Sequence, residues 1–314
     1  MLPILSIIIP IFAVIGLGFY LVHSRFMPKD TLPVLSKLVL FCLIPALTFA
    51  TVARLDFSKV LAWDFLGVYA VGALLAQIVA LLLFRGIFRN GLSESAIKTL
   101  GCSMPNSIFI GYPVVVQAFG EEWGHTFAFA VMVENIVILP AMLVLAELGS
   151  SKERHQETVA ITVILAGIAQ RLAKNPVLIA IFFGLLVSVS GLELPQAAAR
   201  TLTLLGNAAA AIALLVIGGS LVGNPIRGSW RDISLVSTIK LVIHPLAVVL
   251  VLMAWPDFDP TLQTLTIVYA ALPMAAIFPI IGSNYGMRNF CASSLLITTV
   301  ASFFTLTAVL LLLL

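Results

Sequence analysis

An acidic side chain in the middle of an apolar stretch has a large desolvation cost, and this chain carries one. Glu134 lies about eleven residues into the apolar run 123–148, close to a bilayer midplane at ~1.5 Å of helix rise per residue. A carboxyl at that depth costs ~2.5–3.5 kcal/mol even on insertion scales, so it needs a partner, water or a proton. Proton coupling is the chemistry such a group can perform. A structural bond to a neighbouring helix is the alternative. Asn135 beside it points about 100° away around a helix, as a ligand or as glue between helices. Lys240 and His244 are four residues apart and share a helix face. They offer Glu134 a counter-charge or part of a proton path. Alternatively, Lys240 reaches the cytoplasmic interface and His244 satisfies backbone freed by Pro245. Asn106 carries an amide that can donate to a carboxylate or cap a free helix end. Thr48 follows Pro45 and either binds a ligand or bonds to its own backbone.

Two segments must position these groups, and neither suits an unbroken helix. Between residues 101 and 113 stand Gly101, Pro105, Asn106, Gly111 and Pro113. Each proline removes a backbone donor and its ring clashes with the carbonyl one turn back. Freed backbone at membrane depth must be buried in protein or line a cavity. Far down the chain, residues 271–282 hold Pro273 and Pro279 in a second such interruption. The prolines shape the backbone and do not bind through side chains.

The 314 residues are 61% apolar and 10% charged, with a net charge of +3. An ordinary soluble domain is nearer ~25% charged. Apolar stretches of about 20 residues recur throughout, the pattern of a polytopic helical membrane protein. Ten spans are expected: 2–22, 32–53, 64–84, 95–119, 123–148, 176–192, 199–222, 233–255, 262–285 and 290–314. The first is read as a span and not a removed signal, since it lacks a basic leader. A polar stretch, 149–157, is followed by an apolar piece, 158–169, too short to span and suited to the interface. Cys42, Cys102 and Cys291 show no CxxC spacing, which argues against a disulfide framework or a metal site and for buried apolar roles.

Ten spans put both termini on one side. Twelve of the 17 Lys and Arg residues, Lys98 and Arg231 among them, are assigned to loops 1–2, 3–4, 5–6, 7–8 and 9–10. Arg54, Lys59 and Arg200 fall on the other side, while Lys37 and Lys240 lie within spans. The positive-inside rule therefore places the 5–6 loop in the cytoplasm and both termini outside, in the periplasm for an inner-membrane protein. Two sets of five spans, 1–157 and 158–314, then enter the membrane in opposite senses. The interruptions fall in the fourth span of each set, the arrangement that best points to a transporter binding site. Half-helix N-termini meeting there offer N–H groups to an anion.

The pattern Pro105-Asn106-Ser107-x-x-x-Gly111-x-Pro113, with Leu272-Pro273 and Pro279, resembles the auxin efflux carrier family, which includes plant carriers and bacterial organic-acid permeases. Similarity extends through Leu43–Phe49, Glu134 to Glu147, and Gly206-Asn207 to Gly218-Gly219-Ser220. The resemblance implies an all-α fold of ten helices in two inverted five-helix repeats with crossed, broken fourth and ninth helices, NhaA-like and bile-acid-symporter-like. It also implies a scaffold of spans 1, 2, 6 and 7, a transport domain of spans 3–5 and 8–10, an elevator-type shift and a homodimer. Asn106 matches the family's substrate-site Asn, Glu134 a Gln of the plant site, and Thr48 a hydroxyl residue. Where the plant carriers hold an Asp/Lys pair on span 3, this chain has Tyr69 and Ala73, so auxin itself is not implied.

The expected function is secondary transport of small carboxylates, proton-coupled through Glu134, His244 and Lys240. A sodium-coupled symporter of the bile-acid type is the alternative, with oxygens from Glu134, Asn135, Asn106 and Thr48. A channel would need a continuous polar path, for which these spans hold too few polar residues. An enzyme is not expected: HExxH is absent, and Ser103 and His244 have no evident third partner. No P-loop spacing is present, so ATP drive is not expected. Nothing points to nucleic acid, metal or an organic cofactor.

Overall fold

Long apolar runs satisfy their backbone polar groups best as helices, and helices are what these residues form. The computed structural model describes residues 2–54, 62–153, 161–192, 194–223 and 229–314. Lys59, Arg227, residues 154–157 of the polar stretch and 158–160 of the short apolar piece lie outside them. In chain order the helices are α1 (Leu2–His23), α2 (Thr31–Val52), α3 (Trp63–Ile87), α4 (Leu92–Ser103), α5 (Tyr112–Phe119) and α6 (Glu121–Ser151). They continue as α7 (Ile161–Ala173), α8 (Pro176–Ser190), α9 (Gln196–Ser220) and α10 (Trp230–Ala254). The last are α11 (Pro260–Ala271), α12 (Phe278–Ser283) and α13 (Arg288–Leu313). Among the described residues, seven are long and apolar enough to cross a bilayer, or eight if α7 and α8 form one span. The chain is thus an all-helical, multi-pass membrane protein.

Several helices widen to a π turn, and four of these turns share one cause. Turns Val39–Leu43, Ser107–Gly111, Glu134–Ile138 and Ile239–Ile243 each end two residues before a proline: Pro45, Pro113, Pro140 and Pro245. In a regular helix each ring would strike the carbonyl four residues back, which lies inside the turn. A wider turn moves that carbonyl aside at the expense of one extra residue. Two of the turns carry the charged groups Glu134 and Lys240.

The chain divides into two compact units. The first holds Met1–Trp63, Ile108–Phe129 and Leu172–Gly223. Its tightest pair is α1 with α9, where small residues let backbones touch. A Cβ on Gly18 would land on the Leu215 carbonyl, and one on Gly218 on the Ile15 carbonyl, so the helices run antiparallel in van der Waals contact. Gly206 and Gly184 give α2 the same access, facing Leu47 and Val52. Gly218→Ala is expected to lower thermal stability in detergent by about 1–3 kcal/mol, the range for overpacking. An unchanged melting midpoint would show that the helices part at little cost. In the same unit Asn175 caps α8, its side chain accepting from the N–H groups of Val177 and Leu178. Cys42 is exposed, contrary to the buried role expected of it.

The second unit holds Asp64–Ser107, Ala130–Arg171 and Asn224–Leu314. Gly72 of α3 lies against Val248 of α10, and Trp255 Nε1 at the end of α10 donates to Asp64 at 3.1 Å. Gly149 of α6 meets the Ser93 backbone of α4. Lys98 corrects the loop assignment made from sequence. It sits two turns into α4, 2% exposed, with Nζ 2.6 Å from Glu94 and 2.8 Å from Asp232 of α10. The rings of Phe84 and Phe290 flank it at 5.6 Å. It is a core tie, so the positive bias of the loops rests on one residue fewer.

Candidate substrate site

Both interruptions belong to the second unit up to Ser107, and they meet there. A residue before proline is pushed out of the helical region. Met104 before Pro105 takes φ −97°, ψ 102°, and α4 stops at Ser103. Leu272 before Pro273 takes φ −61°, ψ 153°, and α11 stops at Ala271. The two extended pieces pair antiparallel at Pro105 and Met274. The Asn106 N–H donates to the Pro273 carbonyl at 2.8 Å, and the Ala275 N–H to the Met104 carbonyl at 2.9 Å. Neither bond needs an N–H from a proline. Backbone that could find no partner in hydrocarbon is satisfied across the break, and residues 104–106 and 272–275 are all buried.

Polar side chains gather around this join. Glu134, 3% exposed, accepts from the Ser107 hydroxyl and from the Tyr69 hydroxyl at 3.2 Å. Ser107 follows Asn106 directly, so the acid stands beside the first break. Lys240, fully buried, donates to the Ala270 carbonyl at 2.7 Å and lies 3.2 Å from His244 Nδ1. It thereby caps the broken end of α11, where carbonyls lack helical partners and a cation suits the helix dipole. Among the described residues, His244 Nε2 is buried without a partner. Gln77 of α3 donates to Ser103 Oγ at 3.0 Å and to the Ile138 carbonyl at 2.9 Å, tying the end of α4 to α6. Phe65, Tyr69 and Tyr269 pack together beside these groups, tilted or edge to face, with centroids 5.8–6.4 Å apart.

The second unit thus brings together Asn106, Pro105, Glu134, Lys240, His244 and Pro273, with Pro279 in the first turn of α12. Asn135, on the same helix as Glu134, is half-buried and donates to the Val131 carbonyl at 2.9 Å. Thr48, Gly111 and Pro113 belong to the first unit. The Thr48 hydroxyl donates to its own helix at the Ile44 carbonyl, 2.7 Å away. Lys240 is held inside the protein and does not reach an interface. Gln77 was a weaker polar candidate from sequence, whereas Tyr69 and Ser107 were not singled out as site residues. Ser107 stood within the Pro105-Asn106-Ser107 triplet. Tyr69 was noted only for replacing a plant-carrier Asp.

The arrangement offers one buried acid, Glu134, two buried basic groups, Lys240 and His244, and a break in the backbone. Among the described residues, no group of three His, Cys, Asp or Glu is placed to hold a metal ion. The family described as "Membrane transport protein" matches residues 3–310. The "Putative malonate transporter" of Rhizobium meliloti (strain 1021) is 28% identical over 316 residues, covering 99% of this chain and 96% of that protein. The "Uncharacterized transporter YfdV" of Escherichia coli (strain K12) is 24% identical over 303 residues, 94% of this chain and 93% of its own. An "Uncharacterized transporter" of Methanothermobacter thermautotrophicus is 24% identical over 242 residues, 76% and 75% of the two chains. With family and relatives spanning its length, the chain belongs to the membrane transport protein family that includes the auxin efflux carriers, and it is a transporter, not an enzyme.

Proposed function

We propose that this protein carries small organic anions, carboxylates of the malonate class, across the inner membrane by secondary, proton-coupled transport. The observation that carries the reading is the join of two interrupted helices inside one compact unit, with Glu134 bonded to the residue next to Asn106. A substrate held there travels with that unit as a whole, which is what an elevator-type shift requires. In this reading the chain crosses the membrane ten times as two inverted five-helix repeats, with both termini periplasmic. Spans 1, 2, 6 and 7 form the scaffold and the partner face of a homodimer. The two-unit division supports that split, with one difference: residues 108–129, parts of spans 4 and 5, group with the scaffold spans. Asn106 and backbone N–H groups at the break hold the carboxylate, and Glu134, Lys240 and His244 handle the proton. The name of the Rhizobium meliloti relative supports a small dicarboxylate.

The test is uptake of labelled malonate into proteoliposomes holding the purified protein. An inward proton gradient is expected to accelerate uptake equally in sodium and in choline buffer. Acceleration by sodium alone would favour the symporter of the bile-acid type. Unitary current steps, or no uptake of any mono- or dicarboxylate, would remove the carrier reading.

A further inference from the structure

Glu134 takes both of its hydrogen bonds on one oxygen. The Ser107 and Tyr69 hydroxyls each donate to Oε1, and among the described residues no donor reaches Oε2. A carboxylate has room for about four donors across its two oxygens, so this one-sidedness has a chemical consequence. A proton cannot settle on Oε1 without displacing a donor already there. It goes to Oε2, and the neutral acid then keeps Oε1 as an acceptor and turns Oε2–H into a free donor beside the break. An ionised Glu134 would repel a substrate carboxylate, because two like charges at contact cannot both persist. A neutral one offers that carboxylate a hydrogen bond.

We infer that Glu134 carries its proton on Oε2 and shares it with a carboxylate oxygen of the substrate, and that Tyr69 and Ser107 are positioning residues that fix this arrangement by holding Oε1. The inference rests on the carboxylate reading above. The proton comes from bulk water, one per substrate molecule bound, and returns to water on release; no other bond forms or breaks. Other titratable groups nearby are already engaged, apart from His244 Nε2. Lys240 is held by the Ala270 carbonyl and His244, and Cys102 of α4 lies 3.9 Å from the Val236 carbonyl. Tyr269 of α11 packs on the Tyr69 ring. Lys98 is taken by Glu94 and Asp232, and Glu147, on the same helix as Glu134, by Tyr285 at 2.8 Å.

The experiment is calorimetric titration of malonate into the purified full-length protein across a pH series. The buffers have contrasting ionisation heats, so that protons taken up are counted. In the unaltered protein, affinity is expected to fall about tenfold per pH unit on the alkaline limb, one proton being linked to each malonate bound. Each hydroxyl removed takes stabilisation from the ionised carboxylate, so Tyr69→Phe and Ser107→Ala extend binding to more alkaline pH. Ser107→Thr, which keeps a hydroxyl, leaves the limb in place. Glu134→Gln flattens the profile. Purely structural roles would weaken binding equally at every pH, and a limb unmoved in both hydroxyl variants overturns the inference. Zero proton uptake in the unaltered protein overturns it without need of any variant. In both cases the carboxylate reading stands, whereas failure of every mono- and dicarboxylate to bind at any pH overturns that reading as well.

Discussion

Glu134→Gln is expected to leave a folded protein whose malonate uptake no longer responds to a proton gradient. A glutamine side chain presents an oxygen that can accept from Ser107 and Tyr69 as Oε1 does, so the packing around the break is kept. What is lost is the charge and the ability to bind and release a proton. One coupled proton and one pH unit of gradient supply about 1.4 kcal/mol, about tenfold in accumulation. Gradient-driven accumulation should therefore fall about tenfold per pH unit of gradient, while exchange of labelled for unlabelled malonate across the same membranes persists, since exchange needs no net proton flow. If the variant still accumulates malonate when a pH gradient is applied, Glu134 is not the coupling group.

The second large effect is on stability. Lys98→Met removes the cation at the junction of α3, α4, α10 and α13. Glu94 and Asp232, both within 2.8 Å of one nitrogen, are left facing each other. Breaking a buried pair by deleting one partner costs about 3–5 kcal/mol. The carboxylates here are 47% and 24% exposed and keep some water, which places the loss toward the lower end. Replacing both members of a buried pair by apolar residues is often neutral, so the double variant Lys98→Met, Asp232→Leu should recover most of the stability. Thermal unfolding in detergent measures both. A single variant as stable as the parent would mean that Lys98 is a passenger between Phe84 and Phe290.

The interruptions were legible in the sequence because proline acts locally. Pro105 and Pro273 each force the preceding residue out of the helix, whatever lies nearby. The long spans were legible for the same kind of reason, as apolar length alone sets them. Lys98 was misread because a charge near the start of an apolar segment looks like the end of a loop. Its partner Asp232 lies 134 residues away, and no local pattern announces it. Tyr69 and Ser107 escaped for a related reason. Hydroxyls are common in membrane helices and usually bond to their own backbone, as Thr48 does. Only the assembled unit shows two of them converging on one oxygen. The π turns break the periodicity that span-reading depends on, yet the proline two residues beyond four of them was visible throughout.

The link between Pro105 and Met274 is written in main-chain atoms. Its two donors are amides that every residue but proline supplies, and its two acceptors are carbonyls that every residue supplies. Ordinary substitution therefore cannot erase it. Selection at this point need only keep the helix from forming, which leaves side chains free to drift around a fixed scaffold of peptide groups. Two chains that differ at about three-quarters of their positions, as this one and its relatives do, can in this way keep the same join while the side chains around it change.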